Sequence, residues 1–324
     1  MGDRVPADRA LVVGLGRSGL AAAESLLAAG VDVIATDARA DVTGVGALRR
    51  GGATVRLGVD GPALVELLDE VDLVVPSPGV SERAPVLRRA VDLDLRIWSE
   101  PELGWRLHPC EVVAITGTNG KTSVTELTAA ILASDGRDAV ACGNIGHPFT
   151  VAARQAGPDT VLVAELSSFQ LRYAWALRPH VGVLLNLAPD HLDWHVDAAA
   201  YAAAKTRMWQ AQQPGDWAVG NLEDPPSAAL VRSHAPHATA WFSHLRTPAT
   251  GVGPRDDTLV ARLPERDGAL VEVAAVRSRG PHHVANVAAA ACAALLAGAA
   301  TPSIAEGVQR WRPGRHRLEV VATA

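Results

Sequence analysis

The amino-acid sequence predicts an α/β protein with two consecutive domains, each built on a parallel β-sheet. Short runs of β-branched residues alternate with stretches rich in alanine and leucine, the order in which strands and helices follow one another in such domains. Two glycine-rich segments, one near the amino terminus and one near residue 117, each lie between a predicted strand and a predicted helix. A length of 324 residues also suits two domains better than one.

The first predicted domain covers residues 1–107. Its strand at residues 10–13 is followed by a helix at 20–29, which Gly30 ends, and by a second strand at 31–36. This β-α-β order predicts a Rossmann-like parallel sheet. Further strands are predicted at residues 53–57, 73–75 and 95–97.

The second predicted domain covers residues 108–313 and opens with a strand at 112–115, a glycine-rich loop and a helix that ends near residue 133. Continuous apolar runs at 161–164 and 181–185 are typical of strands buried on both faces. The later elements are predicted hairpins at the sheet edge between about 243 and 281, with a strand-like piece at 270–273, and a helix at 284–297.

The composition excludes several classes of protein. Apolar residues make up 48% and charged residues 20%, which is the balance of a globular protein rather than a disordered or collagen-like one. A net charge of -5 gives no general attraction to phosphate backbones, so we expect no nucleic-acid partner. The three cysteines have no CxxC spacing and suit a reducing compartment.

No export signal or membrane anchor is predicted. The amino terminus is charged and lacks an apolar h-region, and the longest apolar run, at residues 287–300, is too short and too rich in alanine to span a bilayer. We therefore expect a cytoplasmic protein without membrane contact. The sequence leaves the oligomeric state open.

The glycine-rich loop of the second domain predicts a phosphate-binding P-loop and hence an ATPase-type domain. Glycines let backbone N–H groups turn toward a polyphosphate, the helix that follows adds partial positive charge, Lys121 reaches the terminal phosphates and the Thr122 hydroxyl can ligate Mg²⁺. The longer pattern G-x-x-x-x-G-K-[ST] is not strictly met, because Ile115 stands where its first glycine belongs. The loop consists of Gly117, Thr118, Asn119, Gly120, Lys121 and Thr122.

Candidate metal ligands follow the buried strands of this domain. Glu165 comes directly after one strand, and His191 follows the next, between Asp190 and Asp193. Hard Mg²⁺ needs oxygen ligands held at the carboxyl ends of parallel strands. Taken alone, such a glutamate is as often a helix cap as a ligand, and an isolated histidine is more often structural.

The amino-terminal glycines predict a second phosphate site. Residues 14–19 fit G-x-G-x-x-G between a strand and a helix, and Asp37 ends the next strand. This motif specifies a diphosphate on a helix N-terminus and a hydroxyl partner for the acid. UDP satisfies both conditions as well as NAD does, so the motif alone leaves the two ligands open.

These motifs and several others together resemble the Mur ligase family. The G-T-N-G-K-T loop is shared with folylpolyglutamate synthases, but four further segments resemble the Mur ligases that add D-glutamate. They are G-N-I-G at 143–146, E-L-S-S-F-Q-L at 165–171, N-L-A-P-D-H-L-D at 186–193 and Y-A-A-A-K at 201–205. Folylpolyglutamate synthesis predicts no UDP-type amino-terminal domain, and a nicotinamide dehydrogenase predicts no P-loop.

The resemblance implies an activity. It is the ATP-dependent addition of D-glutamate to UDP-N-acetylmuramoyl-L-alanine, through an acyl phosphate, in cytoplasmic peptidoglycan precursor synthesis. The resemblance also implies ATP and Mg²⁺ as cofactors, with two sites for Mg²⁺. It implies a carbamylated lysine at Lys205, although Lys205 taken alone is an ordinary helix-surface lysine.

The family's functional residues carry over onto matching positions of this sequence. The implied catalytic residues are Lys121, His191 and Lys205, and the implied metal ligands are Thr122, Glu165, His191 and Lys205. The implied nucleotide-binding residues are the loop 117–122, Asn144, Asn286 and Arg317. The implied contacts to the UDP substrate are Arg17, Ser18, Asp37, Arg39, Ser77 and Gly79.

The sequence departs from the family pattern at two positions, and the family's third domain has no counterpart. His283 stands where the family usually has an asparagine assigned to ATP binding, and Arg315 replaces a proline. Residues 314–324 are predicted to begin the third domain, which the chain does not complete. The alternative is therefore a truncated, non-catalytic fragment that binds nucleotide and UDP-sugar.

Overall fold

A computed structural model describes residues 6–188, 190, 194–277 and 281–312. Two sheets follow one another along the chain, with helices between their strands, so the predicted α/β class is confirmed. Among the described residues, no helix is long and apolar enough to cross a membrane.

The first sheet has five strands, all of them parallel, in the order β3-β2-β1-β4-β5. The strands are β1 (Arg9–Val13), β2 (Asp32–Asp37), β3 (Thr54–Leu57), β4 (Leu73–Pro76) and β5 (Arg96–Ile97). The helices are α1 (Arg17–Ala28), α2 (Val45–Arg50), α3 (Gly61–Glu66), α4 (Pro85–Asp92) and α5 (Glu100–Leu107). The strand order reverses between β1 and β4, and open α/β sheets bind ligands at the carboxyl edge of such a switch point.

The second sheet has nine strands in the order β14-β13-β12-β11-β10-β9-β6-β8-β7. The parallel part contains β6 (Glu111–Thr116), β7 (Ala139–Gly143), β8 (Val161–Glu165), β9 (Val181–Leu184), β10 (Trp217–Asn221), β11 (Ala238–Phe242) and β12 (Gly251–Arg255). Antiparallel pairing then adds β13 (Thr258–Arg262) and β14 (Gly268–Glu272). The expected hairpins at the sheet edge are therefore present.

Helices cover this second sheet and include several that the sequence did not predict. They are α6 (Lys121–Ser134), α7 (Phe149–Gln155), α8 (Ser168–Leu171), α9 (Ala198–Thr206), α10 (Pro225–His234), α11 (Val273–Arg277), α12 (Pro281–Leu296) and α13 (Thr301–Arg310). The alanine-rich α12 is buried against α6 and the sheet, because its small side chains allow close approach. One of the unpredicted helices, α13, packs on α6.

Two buried glutamates on α5 join the two halves of the molecule. Glu102 accepts hydrogen bonds from the backbone N–H groups of residues 175–177 and from Arg106 Nε, at 2.7–3.0 Å. Glu100 Oε1 accepts from the Thr150 N–H at 2.6 Å and the Thr150 hydroxyl at 2.7 Å. Burial raises the pKa of Glu100 to about 7. A buried carboxylate costs free energy unless it is hydrogen-bonded. These bonds therefore hold α5 against the helix and loop of the second domain that carry Thr150 and residues 175–177.

The division between the two halves lies between α5 and β6, and the predicted domain limits at residues 107 and 313 stay predictions. Residues 314–324, the predicted start of a third domain, lie outside the described residues. The helix predicted at 20–29 begins earlier, at Arg17, so Gly19 lies inside its first turn.

Gly19 allows α1 to begin directly above the turn after β1. A Cβ atom built at Gly19 would lie 1.9 Å from the carbonyl oxygen of Gly14. We expect Gly19→Ala to lower the free energy of unfolding by about 1–3 kcal/mol, the usual cost of overpacking. The matched control is Gly46→Ala on α2, where the nearest atom is the end of the flexible Arg50 side chain at 3.5 Å. Urea unfolding measures both variants, and equal stability of the two would contradict the close-approach argument.

Candidate active site

The P-loop lies between β6 and α6, as the sequence predicted. Gly120 has a left-handed backbone (φ 85°) and directly precedes α6, whose first backbone N–H groups are therefore available to an anion. A Cβ atom at Gly120 would lie 2.9 Å from Asn286 Oδ1, so α12 brings Asn286 against the loop. Lys121 Nζ donates to the carbonyl oxygens of Gly117 at 2.9 Å and Thr118 at 2.8 Å. The lysine thus folds back over the loop.

Asn186, which follows β9, holds the loop in this conformation. Its Oδ1 atom accepts from the backbone N–H groups of Thr118 at 3.0 Å and Asn119 at 2.9 Å, and its Nδ2 atom donates to the Asn119 carbonyl at 3.1 Å. The Tyr201 hydroxyl of α9 lies 3.1 Å from Thr118 Oγ1. The sequence motifs contained both residues, but the prediction gave neither of them this role.

Glu165 lies at the carboxyl end of β8, between the P-loop and the loop after β7. Its Oε2 atom accepts from Thr122 Oγ1 at 2.5 Å, and its Oε1 atom accepts from Asn144 Nδ2 at 2.8 Å. β8 pairs with β6 on one side and with β7 on the other, and this arrangement brings the three side chains together. The side chain is 2% exposed, so the carboxylate is directed into the site.

The donor set around Glu165 fits a hard divalent cation. A carboxylate and a hydroxyl are the kinds of ligand that Mg²⁺ takes beside phosphate oxygens, whereas Asn144 presents its amide nitrogen to Glu165. Among the described residues, no three His, Cys, Asp or Glu side chains form a metal-binding group by themselves. His191, predicted as a further ligand, lies outside the described residues.

Lys205 is buried beneath the P-loop and is not an ordinary surface lysine. It is 1% exposed, and its Nζ donates to Thr116 Oγ1 at 3.3 Å and to the Gly117 carbonyl at 3.2 Å. Burial, reinforced by the positive charge of Lys121, lowers the pKa of Lys205 to about 7. Burial also lowers the pKa of Lys121, against the opposing charges of Glu165 and Asp190.

A cavity of about 450 Å³ opens at the switch point of the first sheet. Asp37, Arg39, Ser77 and Gly79, the predicted contacts to the UDP substrate, line it. Asp37 accepts from the Leu15 N–H at 2.7 Å and from Arg39 Nε and Nη2 at 2.9 Å. The Arg39 hydrogen bond holds the pKa of Asp37 well below its ordinary value.

The remaining predicted residues are placed differently from one another. Arg17 and Ser18 lie in the first turn of α1 and do not line the cavity; Arg17 Nη1 donates to the Gly146 carbonyl at 3.3 Å. This contact connects α1 with the loop that carries Asn144. His283 is 3% exposed and stacks on Trp311, with ring centroids 5.3 Å apart. Arg315 and Arg317 lie outside the described residues.

Comparison with known proteins identifies two matching family models. The Mur ligase middle domain matches residues 115–294, and the Mur ligase MurD-like N-terminal domain matches residues 8–99. Two curated relatives carry the name UDP-N-acetylmuramoylalanine–D-glutamate ligase. The relative from Frankia casuarinae is 42% identical over 96% of this chain and 66% of its own length. The relative from Thermobifida fusca is 40% identical over 97% of this chain and 69% of its own length. The chain therefore spans about two thirds of these relatives.

Solved structures share the fold at low sequence identity. A UDP-N-acetylmuramate:L-alanyl-gamma-D-glutamyl-meso-diaminopimelate ligase from Neisseria meningitides matches with a TM-score of 0.60 at 17% identity, over 95% of this chain and 99% of that chain. A UDP-N-acetylmuramate-alanine ligase from Thermotoga maritima matches with a TM-score of 0.52 at 19% identity, over 93% of this chain and 67% of that chain.

Proposed function

The chain belongs to the Mur ligase family of ATP-dependent ligases, and from this membership we propose that it serves the addition of D-glutamate to UDP-N-acetylmuramoyl-L-alanine. The relatives that carry this name match along nearly all of the chain. The reaction belongs to the synthesis of peptidoglycan precursors, for which we propose a cytoplasmic location.

The observation that carries the proposal is the group formed by Glu165, Thr122 and Asn144 beside the P-loop. Such a group suits the binding of a metal-bound polyphosphate at the carboxyl edge of a sheet. In the proposed complex, ATP phosphates lie on residues 117–122, with Lys121 at the terminal phosphates and Asn286 beside the loop. Mg²⁺, held by Thr122, Glu165 and the predicted His191, would neutralise charge on the phosphate oxygens.

The UDP substrate is proposed to occupy the cavity of the first sheet. The sequence motif leaves NAD and UDP open, and family membership favours UDP. Asp37 and Arg39 form a fixed polar pair at the wall of that cavity, where they can recognise the uracil. Ser77 and Gly79 line the same space, and Arg17 and Ser18 offer donors to the diphosphate from the start of α1.

The proposed chemistry proceeds in two steps. The carboxylate of the alanyl group attacks the γ-phosphorus of ATP, the bond to the β-phosphate oxygen breaks, and ADP leaves. The neutral amine of D-glutamate then attacks the acyl phosphate, so that an amide forms while phosphate and a proton leave. Lys121 stabilises the charge that moves onto the phosphate oxygens in the first step.

We expect the purified chain to bind UDP-N-acetylmuramoyl-L-alanine and MgATP independently in calorimetry. Lys121→Met should weaken MgATP binding at least about tenfold, because a charge-assisted contact to phosphate is lost. Affinity for the UDP substrate should remain unchanged in that variant, which serves as the internal control.

Measurement of phosphate release from ATP distinguishes a complete ligase from a non-catalytic binding fragment. Release that requires both UDP-N-acetylmuramoyl-L-alanine and D-glutamate supports complete ligation by this chain. Binding of both ligands without release supports the alternative of a non-catalytic binding fragment. If one of the two ligands does not bind, the result contradicts the proposed function.

Lys205 is proposed to react with CO₂ to form a carbamate. A buried amine with a pKa of about 7 is more than half neutral above that pH, and only the neutral amine adds CO₂ with loss of a proton. The resulting anionic oxygens would replace a positive charge beside the proposed metal site.

Lys121 and Lys205 are the sequence's two lysines, so the carbamate can be assigned by mutation. With ¹³C-labelled bicarbonate, we expect a carbamate carbon resonance that grows as the pH rises through about 7. The resonance should persist in Lys121→Met, and in Lys205→Met only the signal of the α-amino group should remain. A resonance of undiminished intensity in Lys205→Met, or none in the wild type above that pH, would contradict this proposal.

A further inference from the structure

We propose that Glu82 and Arg83 are positioning residues, which couple the UDP-substrate cavity to the second domain through contacts with residues 194–196. We call this set of contacts the Glu82 clasp; it comprises Glu82 and Arg83 on one side and Arg172, His195 and Val196 on the other. The contacts themselves are observed in the structure, and their role in the reaction rests on the proposed function.

The clasp begins in the loop that leaves the cavity. Ser77 and Gly79 line the cavity, and Glu82 and Arg83 follow them within the same loop, before α4. Glu82 is buried, although it belongs to a loop of the first domain. Its Oε2 atom accepts from Arg172 Nε at 2.5 Å.

Residues 194–196 each bond to this loop. The Val196 N–H donates to Glu82 Oε1 at 2.8 Å, and Arg83 Nη2 donates to the carbonyl oxygens of His195 at 2.7 Å and Val196 at 2.9 Å. The Trp194 indole N–H donates to the Pro78 carbonyl at 3.1 Å, and its own carbonyl accepts from the Ser81 hydroxyl at 3.0 Å. Such a continuous set of bonds fixes one segment relative to the other.

The second side of the clasp leads toward the P-loop. His195 is fully buried, and its Nε2 atom lies 2.9 Å from the Ser168 hydroxyl, three residues after Glu165. The His195 ring packs on Tyr201, with ring centroids 5.4 Å apart. Tyr201 in turn contacts Thr118 of the P-loop. A displacement of residues 194–196 therefore shifts the segment that follows Glu165 and also the P-loop. These two segments are the walls of the proposed phosphoryl-transfer site.

The charges explain why Glu82 is the critical member. Burial alone would raise the pKa of Glu82, but the hydrogen bonds and charge supplied by Arg172 and the Val196 N–H outweigh it, and the net effect lowers the pKa. Removal of this carboxylate leaves a partly buried guanidinium and a backbone N–H without their acceptor. Buried groups stranded in this way are more costly than the same contacts on a surface.

The first arm of the test uses the free protein. Hydrogen exchange at the Val196 amide should be at least about tenfold faster in Glu82→Ala, because that amide loses its acceptor. Glu70→Ala is the matched control, since Glu70 forms exposed pairs with Arg9 and Arg56 in the same domain. Arg83→Met, at an exposed position, tests the clasp without removing the buried charge and should act in the same direction. Unchanged exchange in both Glu82→Ala and Arg83→Met would overturn the clasp.

The second arm adds UDP-N-acetylmuramoyl-L-alanine and measures protection together with calorimetric binding. Binding should slow exchange at residues 194–196 in the wild type and in Glu70→Ala. In Glu82→Ala the ligand should still bind, within about threefold of the wild-type affinity, but without this protection. Protection that survives in Glu82→Ala would overturn the coupling. Absence of binding by the wild type would contradict the proposed function and the coupling with it, whereas the first arm would still decide the clasp.

Discussion

The buried carboxylate of Glu165 is the group on which the geometry of the candidate site depends. It accepts one hydrogen bond from the P-loop, through Thr122, and one from the loop after β7, through Asn144. A buried carboxylate requires such partners, and β8 supplies it between two parallel neighbours. The P-loop and the neighbouring loop are thereby held around the one point where a metal-bound phosphate would lie.

Buried polar groups cross between the two domains, beside an apolar cluster in which Tyr173 and Trp194 pack with residues of the first domain. Glu100 and Glu102 accept donors from the second domain on one side, and Glu82 does so on the other. Each of these contacts is directional, so it fixes the distance and orientation between the cavity of the first sheet and the P-loop. A ligase needs this, because a carboxylate from one site must reach a phosphate at the other.

The sequence predicted the elements whose signals are local. Glycines between a strand and a helix predicted the positions of both glycine-rich loops, and continuous apolar runs predicted β8 and β9. The burial of Lys205 and the support from Asn186 depend on side chains that meet only in the folded chain, across 68 to 89 positions. The same holds for Glu82, whose partners lie 90 and 114 residues away. No local pattern of the sequence distinguishes Glu82 from an ordinary surface acid.

His283 stands where the family usually has an asparagine assigned to ATP binding. The structure stacks its ring on Trp311 in the interior. Asn286, one turn further along α12, is the residue that meets the P-loop. Helix periodicity explains this, because residues three apart share a face but differ in height along the axis.

In the proposed arrangement, one chain presents a UDP site and an ATP site to each other across its two sheets. A crystal structure with UDP-N-acetylmuramoyl-L-alanine, Mg²⁺ and a non-hydrolysable ATP analogue tests this arrangement. We expect the triphosphate on residues 117–122, the metal beside Glu165 and the uridine beside Asp37. An adenosine nucleotide in the first-sheet cavity, or a triphosphate bound away from the P-loop, would contradict it.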